Sequence, residues 1–191
     1  MRIIAGLYRG RVLASVGKGD PGAHLRPTTD RVRESLFNML GGGRFGDPFD
    51  GAHVLDLFAG TGALGLEALS RGAASAVFVD DGRKAVSLIK ANIKSLGCDT
   101  ARVVARDATR LPPCDTDAAT LVFLDPPYGK TLGQKALAAA VAGGWLADGA
   151  LIVWEENAPQ LAPEGFIRLD TRRYGDSHVT VLRFGNGPAT A

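Results

Sequence analysis

Residues 121–131 read LVFLDPPYGKT, an apolar run that ends in Asp125-Pro126-Pro127-Tyr128. Proline lacks the N–H that a sheet ladder needs, so a strand over 121–125 must stop there. The chain thus puts a carboxylate, a stiff bend and a flat ring at one strand end. Standing alone, such a tetrapeptide is a strand-ending turn, with Asp125 as a cap and Tyr128 as packing. Its company changes that reading.

A second stretch, Asp56-Leu57-Phe58-Ala59-Gly60-Thr61-Gly62-Ala63-Leu64-Gly65, leads from a strand into a helix. That context gives a G-x-G-x-x-G match its meaning. Glycines let the backbone approach a ligand closely, and the loop falls at the carboxyl end of the strands, where such sheets bind ligands. The next strands end in Asp80 and Asp107, so with Asp56 a row of acids lies along one sheet edge. Glycines in such a turn can serve chain geometry alone, and an Asp there can simply cap a helix. The loop and the strand-end acids together point to a nucleoside cofactor, with Asp80 placed to take a ribose hydroxyl pair. A dinucleotide pyrophosphate wants an anion-friendly loop. Asp56, so close to the glycines, repels phosphate and suits a cation, such as the ammonium and sulfonium of S-adenosylmethionine.

The elements that must hold these residues alternate. Strands are expected over 53–58, 75–80, 101–107, 121–125 and 150–156, with helices over 63–72, 83–97 and 132–142 between them. Such β-α alternation implies a mostly parallel sheet covered by helices on both faces. In the second helix Val86, Ile89, Ile93 and Leu96 make the apolar face, with Lys84, Lys90 and Lys94 off it. The end of the chain differs, because 166–174 and 177–184, joined by Gly175-Asp176, form an antiparallel hairpin. Ahead of all this, residues 3–16 read as a short β-hairpin. RPTTDRVRESLFNML then starts a helix with Thr28 or Thr29 as N-cap and Asp30 in its first turn. Val32, Leu36, Met39 and Leu40 share its apolar face, leaving Arg31, Arg33 and Asn38 more exposed. The expected organisation is a basic hairpin arm (1–22), a helix packing on the core (23–50), the main domain (51–185) and a frayed tail (186–191).

Composition sets limits on function. The 191 residues are 46% apolar and 22% charged, ordinary for one soluble globular domain. Cys98 and Cys114 are the only cysteines, without a close pair or nearby histidines. This argues against a disulfide framework or structural zinc and fits a reducing cytoplasm. The apolar run at the N-terminus is too short for a secretion signal, and Ala136–Trp154 is interrupted by glycines and Asp148, so no membrane span is expected. Net charge is +2, yet residues 1–35 carry seven basic residues against three acids, a balance of +4. A basic leading segment on a near-neutral body suits a polyanion, although ordinary surface arginines would give the same count.

With DLFAGTGALG followed by DPPY, the sequence resembles the class I S-adenosylmethionine-dependent methyltransferases that act on exocyclic amino groups. RIIAGLYRGRVL, LRPTTDRVRESLFNML and the late RRYGDSHVTVLRF narrow the likeness to the bacterial small-subunit ribosomal RNA guanine-N2 methyltransferases of the RsmD type, from Arg2 to about Phe184. The resemblance implies a Rossmann-like, seven-stranded, mostly parallel sheet with an antiparallel last strand, plus the N-terminal hairpin and helix. It assigns Asp56 and the loop Phe58, Ala59, Gly60, Thr61 and Gly62 to the methionine moiety of the cofactor, Asp80 to the ribose, and Asp107 with Ala108 to the adenine. Arg26-Pro27-Thr28-Thr29 resembles the segment that closes over the cofactor carboxylate. Asp80 stands where relatives often carry glutamate, a shorter arm with the same chemistry.

The same resemblance gives the tetrapeptide a task. A guanine amino group is a poor nucleophile because its lone pair is delocalised into the ring. Asp125 and the Pro126 carbonyl would accept its hydrogens, Pro127 would help hold those acceptors in place, and Tyr128 would stack on the unstacked base. The expected substrate is 16S rRNA in the assembled or assembling 30S subunit, met by a cytoplasmic monomer. Arg2, Arg9, Arg11, Lys18 and Arg26 would contact phosphates, giving affinity and register without reading bases. On that view, deleting residues 1–18 removes RNA methylation and spares cofactor binding. The rivals are a DNA adenine-N6 methyltransferase with the same tetrapeptide, an NAD-dependent oxidoreductase that would leave the tetrapeptide unexplained, and a non-catalytic ribosome assembly factor.

Overall fold

The structure, a computed structural model, describes residues 1–15 and 30–185. The expected roles of Lys18, Arg26, Thr28, Thr29 and the 186–191 tail lie outside the described residues. The elements run α1 (Asp30–Leu40), β1 (His53–Leu57), α2 (Ala63–Ser70), β2 (Ser75–Val79), α3 (Arg83–Leu96), β3 (Ala101–Val104), β4 (Ala119–Leu124), α4 (Leu132–Ala142), β5 (Leu146–Glu156), β6 (Phe166–Tyr174) and β7 (Ser177–Phe184). The strands make one sheet of order β3-β2-β1-β4-β5-β7-β6. β3, β2, β1, β4 and β5 pair in parallel, and β7 runs antiparallel to both β5 and β6. Only β7 is reversed, because a tight turn at Gly175 joins it to β6, while α2, α3 and α4 carry the β1–β2, β2–β3 and β4–β5 crossovers.

Parallel strands buried on both faces read as apolar runs, and β2 and β4 follow that rule. One core layer joins α1, α2, α3 and the N-terminal arm to the sheet through Phe37, Leu66, Phe78, Ile89 and Phe123. The other joins α4 through Leu55, Val122, Leu137, Trp145 and Trp154. α1 docks by an aromatic group. Phe37 lies 5.3 Å from Phe49 and 5.6 Å from Phe123, and the Arg71 guanidinium sits 4.9 Å from the Phe37 ring centre. Among the described residues no helix is long and apolar enough to cross a membrane.

Several expectations change. Arg33 is fully buried rather than exposed, donating to the Arg2 carbonyl, while Val32 is only half-buried. The buried face of α1 is Arg33, Leu36, Phe37 and Leu40, rotated toward the arm that covers it. α3 likewise buries Ala85, Ile89, Asn92 and Leu96, so a polar residue sits in its stripe. β3 stops at Val104, leaving Asp107 in the loop beyond, and β5 begins at Leu146 because Ala119 pairs with it across an irregular register.

The arm is a minimal hairpin, a single antiparallel bridge between Arg2 and Val12. It is not a loose appendage, since Ile3 and Leu13 are 1% and 2% exposed. α2 holds it. The Ile4 and Ala5 N–H groups donate to the Glu67 carboxylate at 2.8 and 3.1 Å, and the Leu7 N–H donates to the Ser70 carbonyl at 2.7 Å. Gly6 is required there, because a Cβ at its φ of +78° would stand 1.7 Å from the Ser70 carbonyl oxygen. Deleting residues 1–18 would therefore strip the core of Ile3 and Leu13, so that deletion cannot isolate RNA contact.

Candidate active site

β1 carries the chain to Phe58, whose φ of +60° is left-handed although it is not glycine. Such a conformation in a bulky residue is a local strain that the surroundings must hold, and it falls at the start of the glycine loop. Behind the loop, the Gly65 N–H donates to the Asp56 carboxylate at 2.9 Å. A Cβ on Gly65 would come within 2.5 Å of the Phe78 ring, so this glycine is set by close helix–strand packing. Asp56 is 1% exposed, and burial pushes its carboxyl up to about 8 despite the Gly65 bond. It lies beneath the loop and fixes its shape.

Asp80 follows β2 and holds two segments at once. The Gly60 N–H donates to one carboxylate oxygen at 2.9 Å and the Gly82 N–H to the other at 2.8 Å. Burial raises its carboxyl. Each oxygen keeps a further lone pair for a ribose hydroxyl. Asp107 accepts from the Thr109 N–H and hydroxyl, both at 2.8 Å, which lower its carboxyl and fix its orientation; Ala108 beside it is buried. A glycine loop flanked by oriented acids fits a nucleoside carrying a positive charge.

The β1–β4 register sets Leu57 level with Leu124, so Asp125 emerges next to the glycine loop. Its N–H donates to the Leu57 carbonyl at 3.4 Å, while its carboxylate has no hydrogen-bond partner among the described residues. Burial, then the Glu155, Asp56 and Glu156 charges, raise this carboxyl well above the usual carboxylate range. Pro126 is buried and Pro127 exposed. The Tyr128 hydroxyl donates to Glu155 at 3.2 Å and shares a 3.0 Å bond with the Ser177 hydroxyl, and burial pushes the phenol up to about 12. The Gly129 N–H donates to Glu156 at 3.0 Å. The Asp-Pro-Pro-Tyr bend is thus clamped from the end of β5 and the start of β7.

The structure therefore brings together Asp56, Phe58–Gly62, Asp80 and Asp125–Tyr128. It keeps Arg9 and Arg11 apart from them, whereas Arg2 follows Met1, whose Sδ accepts from the Thr61 hydroxyl of the loop at 3.6 Å. The arm's turn bonds to Ser70 at the far end of α2, and an eight-residue helix is about 12 Å long, so Arg9 lies well away from the glycine loop. The Arg11 guanidinium donates to the Ser95 carbonyl near the end of α3. Glu155, Glu156, Ser177 and Asn92 are site or supporting residues that the sequence reading missed. For the glutamates a signal existed, since β5 also ends in acids at the cofactor edge. Asn92 had none: its amide donates to the Thr61 carbonyl at 2.9 Å and pairs with both backbone groups of Ala14. Surface concavities of ≈ 400 Å³ along β6 and ≈ 350 Å³ at the start of β2 and β3 lie away from this site. Among the described residues no group of His, Cys, Asp and Glu side chains could hold a metal ion.

A sheet parallel from β3 to β5, closed by a single reversed strand and opening on a glycine loop after β1, is the architecture of the class I methyltransferases. The comparisons agree and go further. Residues 1–183 match the family described as Conserved hypothetical protein 95. The ribosomal RNA small subunit methyltransferase D of Escherichia coli (strain K12) is 41% identical over 163 residues, 85% of this chain and 78% of that protein. Its namesake from Haemophilus influenzae is 35% identical, covering 92% of this chain and 89% of its own length. The solved structure of yhhF from Escherichia coli superposes with a TM-score of 0.79 at 35% identity, over 97% of this chain and 98% of that one. The chain belongs to the ribosomal RNA small subunit methyltransferase D family. It is a methyltransferase and its cofactor is S-adenosylmethionine.

Proposed function

We propose that the chain methylates the exocyclic N2 amine of a guanine in 16S rRNA of the small ribosomal subunit. The observation that carries this reading is the Asp125 carboxylate, half-buried and without a hydrogen-bond partner among the described residues, fixed beside the cofactor loop and next to an anchored aromatic ring. When bound, S-adenosylmethionine supplies an electrophilic methyl group on a sulfonium. Phe58–Gly62 would hold its methionine part, with Asp56 shaping the loop from beneath. Asp80 would take the ribose hydroxyls, and Asp107 with Ala108 the adenine.

The remaining steps belong to the protein. The base must leave its stack to arrive, and Tyr128 holds it flat, a contact worth roughly 1–3 kcal/mol. Asp125 and the Pro126 carbonyl accept the amine hydrogens, favouring a pyramidal nitrogen whose lone pair faces the methyl carbon. Pro126 and Pro127 keep the acceptors in position, so no reorganisation is needed as charge shifts. The nitrogen then loses a proton, and the raised affinity of Asp125 for protons makes it the receiving group. Arg9 and Arg11, exposed and some way from the loop, and the exposed Arg2 suit phosphates that set register rather than the target base itself. The substrate would be the assembled or assembling 30S subunit, met by a monomer in the bacterial cytoplasm.

The experiment offers labelled cofactor to small subunits and to duplex DNA, with wild type and Asp125→Ala. Label is expected on a mapped guanine of the subunit RNA. The variant should lose at least about a hundredfold in turnover, the usual cost of a deleted transition-state contact, while binding cofactor normally. Label on DNA adenine, or unchanged turnover in the variant, would refute the reading.

A further inference from the structure

The β4–β5 register pairs Leu124 with Trp154, which sets the following residues, Asp125 and Glu155, level on neighbouring strands. Alternation puts both on the face that carries Phe123 and Val153, and parallel strands lie about 4.8 Å apart. Two carboxylates therefore stand side by side at the mouth of the candidate site. Glu155 is 8% exposed, and one of its oxygens takes the Tyr128 hydroxyl at 3.2 Å. Its other oxygen has no hydrogen-bond partner among the described residues. Glu156 alternates to the opposite face, where one of its oxygens takes the Gly129 N–H. The pair that confronts a base held on Tyr128 is thus Asp125 and Glu155.

Ionised carboxylates only accept hydrogen bonds. A base presented to two of them must therefore offer two neighbouring donors, or leave a lone pair facing a negative oxygen. Beside its amine, adenine carries N1 and N7 lone pairs, and cytosine carries an N3 lone pair. Guanine alone places a ring N1–H next to its exocyclic amine. Hydrogen bonds from such a base also stabilise two adjacent negative charges, which otherwise oppose each other.

We propose that Glu155 is the residue that selects guanine, by accepting the ring N1–H while Asp125 accepts from the N2 amine. This rests on the amino-methyltransferase reading and adds to it the group that excludes the rival bases. Selection here is partly repulsive, since the wrong base sets lone pair against carboxylate. A site built to bond a donor rejects an analogue lacking it far more strongly than an apolar pocket could.

The test compares small subunits assembled with guanosine or with 2-aminopurine riboside at the mapped target. The analogue keeps the C2 amine but has a lone pair at N1. Single-turnover methyl transfer from labelled cofactor is measured for wild type, Glu155→Gln and Tyr128→Phe, with cofactor affinity as the check on folding. Wild type should favour guanine at least about a hundredfold, of the order expected for an unpaired buried polar group. Glu155→Gln, which can donate to N1, should shrink that ratio at least tenfold by gaining on 2-aminopurine. Tyr128→Phe loses the hydroxyl that Glu155 holds; it should slow both substrates and keep the ratio, which separates selection from ring positioning. A wild type that methylates both bases equally overturns the proposal without any variant. So does a Glu155→Gln protein that binds cofactor and keeps the wild-type ratio. If wild type methylates neither base, or an adenine instead, the amino-guanine reading itself falls.

Discussion

Glu67 is a fully buried carboxylate and Asp125 a half-buried one, and the chain treats them in opposite ways. Glu67, at the seam between the arm and α2, is fully buried and accepts from the Ile4 and Ala5 N–H groups and the Arg71 guanidinium, the last at 2.8 Å. Asp125, at the end of β4, has burial and like charges around it and no donor among the described residues. A buried acid whose acceptor sites are filled is structure. One left desolvated with its acceptor sites empty is a cost that a ligand can relieve, and such places are where function sits. The two ends of α2 differ as well, with the left-handed Phe58 entering the glycine loop at one and satisfied bonds at Ser70 at the other.

This difference can be broken from either side. Glu67→Ala should have the largest effect, about 3–5 kcal/mol of stability, because it leaves two backbone donors and a half-buried guanidinium unanswered. The urea midpoint measures it; a loss under about 1 kcal/mol would mean the arm is not held there. Next comes the pH dependence of the ligand-free protein. The Asp56 carboxyl is raised to about 8 from the usual 3.8, so the folded state keeps a proton that the unfolded chain has released. That contribution is fully present below about pH 4 and drains as pH climbs to about 8, at a slope of at most about 1.4 kcal/mol per pH unit. Asp56→Asn, still able to accept from Gly65, should flatten the curve, and an unchanged slope would place the titration elsewhere.

Asp125→Asn should do the reverse of Glu67→Ala, raising stability by about 1 kcal/mol while activity is lost, as removing a functional charge often does. A destabilised variant would show that Asp125 has a structural partner after all. The smallest effect is expected at the exposed Arg102–Asp115 pair, bidentate at 2.7 and 2.9 Å yet open to water. Arg102→Ala should leave the urea midpoint within experimental error.

Local signals made much of this legible. The glycine loop, the prolines after β4 and the apolar strand runs are short-range patterns, and every expected strand and helix of the main domain is present. Misses came where packing overrode periodicity. Arg33 reads as solvent-facing by its chemistry, but the arm lies over that side of α1 and supplies a carbonyl for it. Asn92 breaks the apolar stripe of α3, yet it is buried because it bridges the arm and the Thr61 carbonyl.

By itself the amino-acid sequence determined the parallel sheet, the position of the cofactor loop and the presence of an acid held by prolines. Each follows from chemistry within a few residues: no ladder N–H in proline, free φ in glycine, short apolar runs spaced by helices. Only the tertiary structure set Glu155 beside Asp125 and hung Tyr128 between Glu155 and Ser177. Those residues are far apart along the chain, and it is the register between β4, β5 and β7, fixed by burying both faces of the sheet, that decides which of them meet.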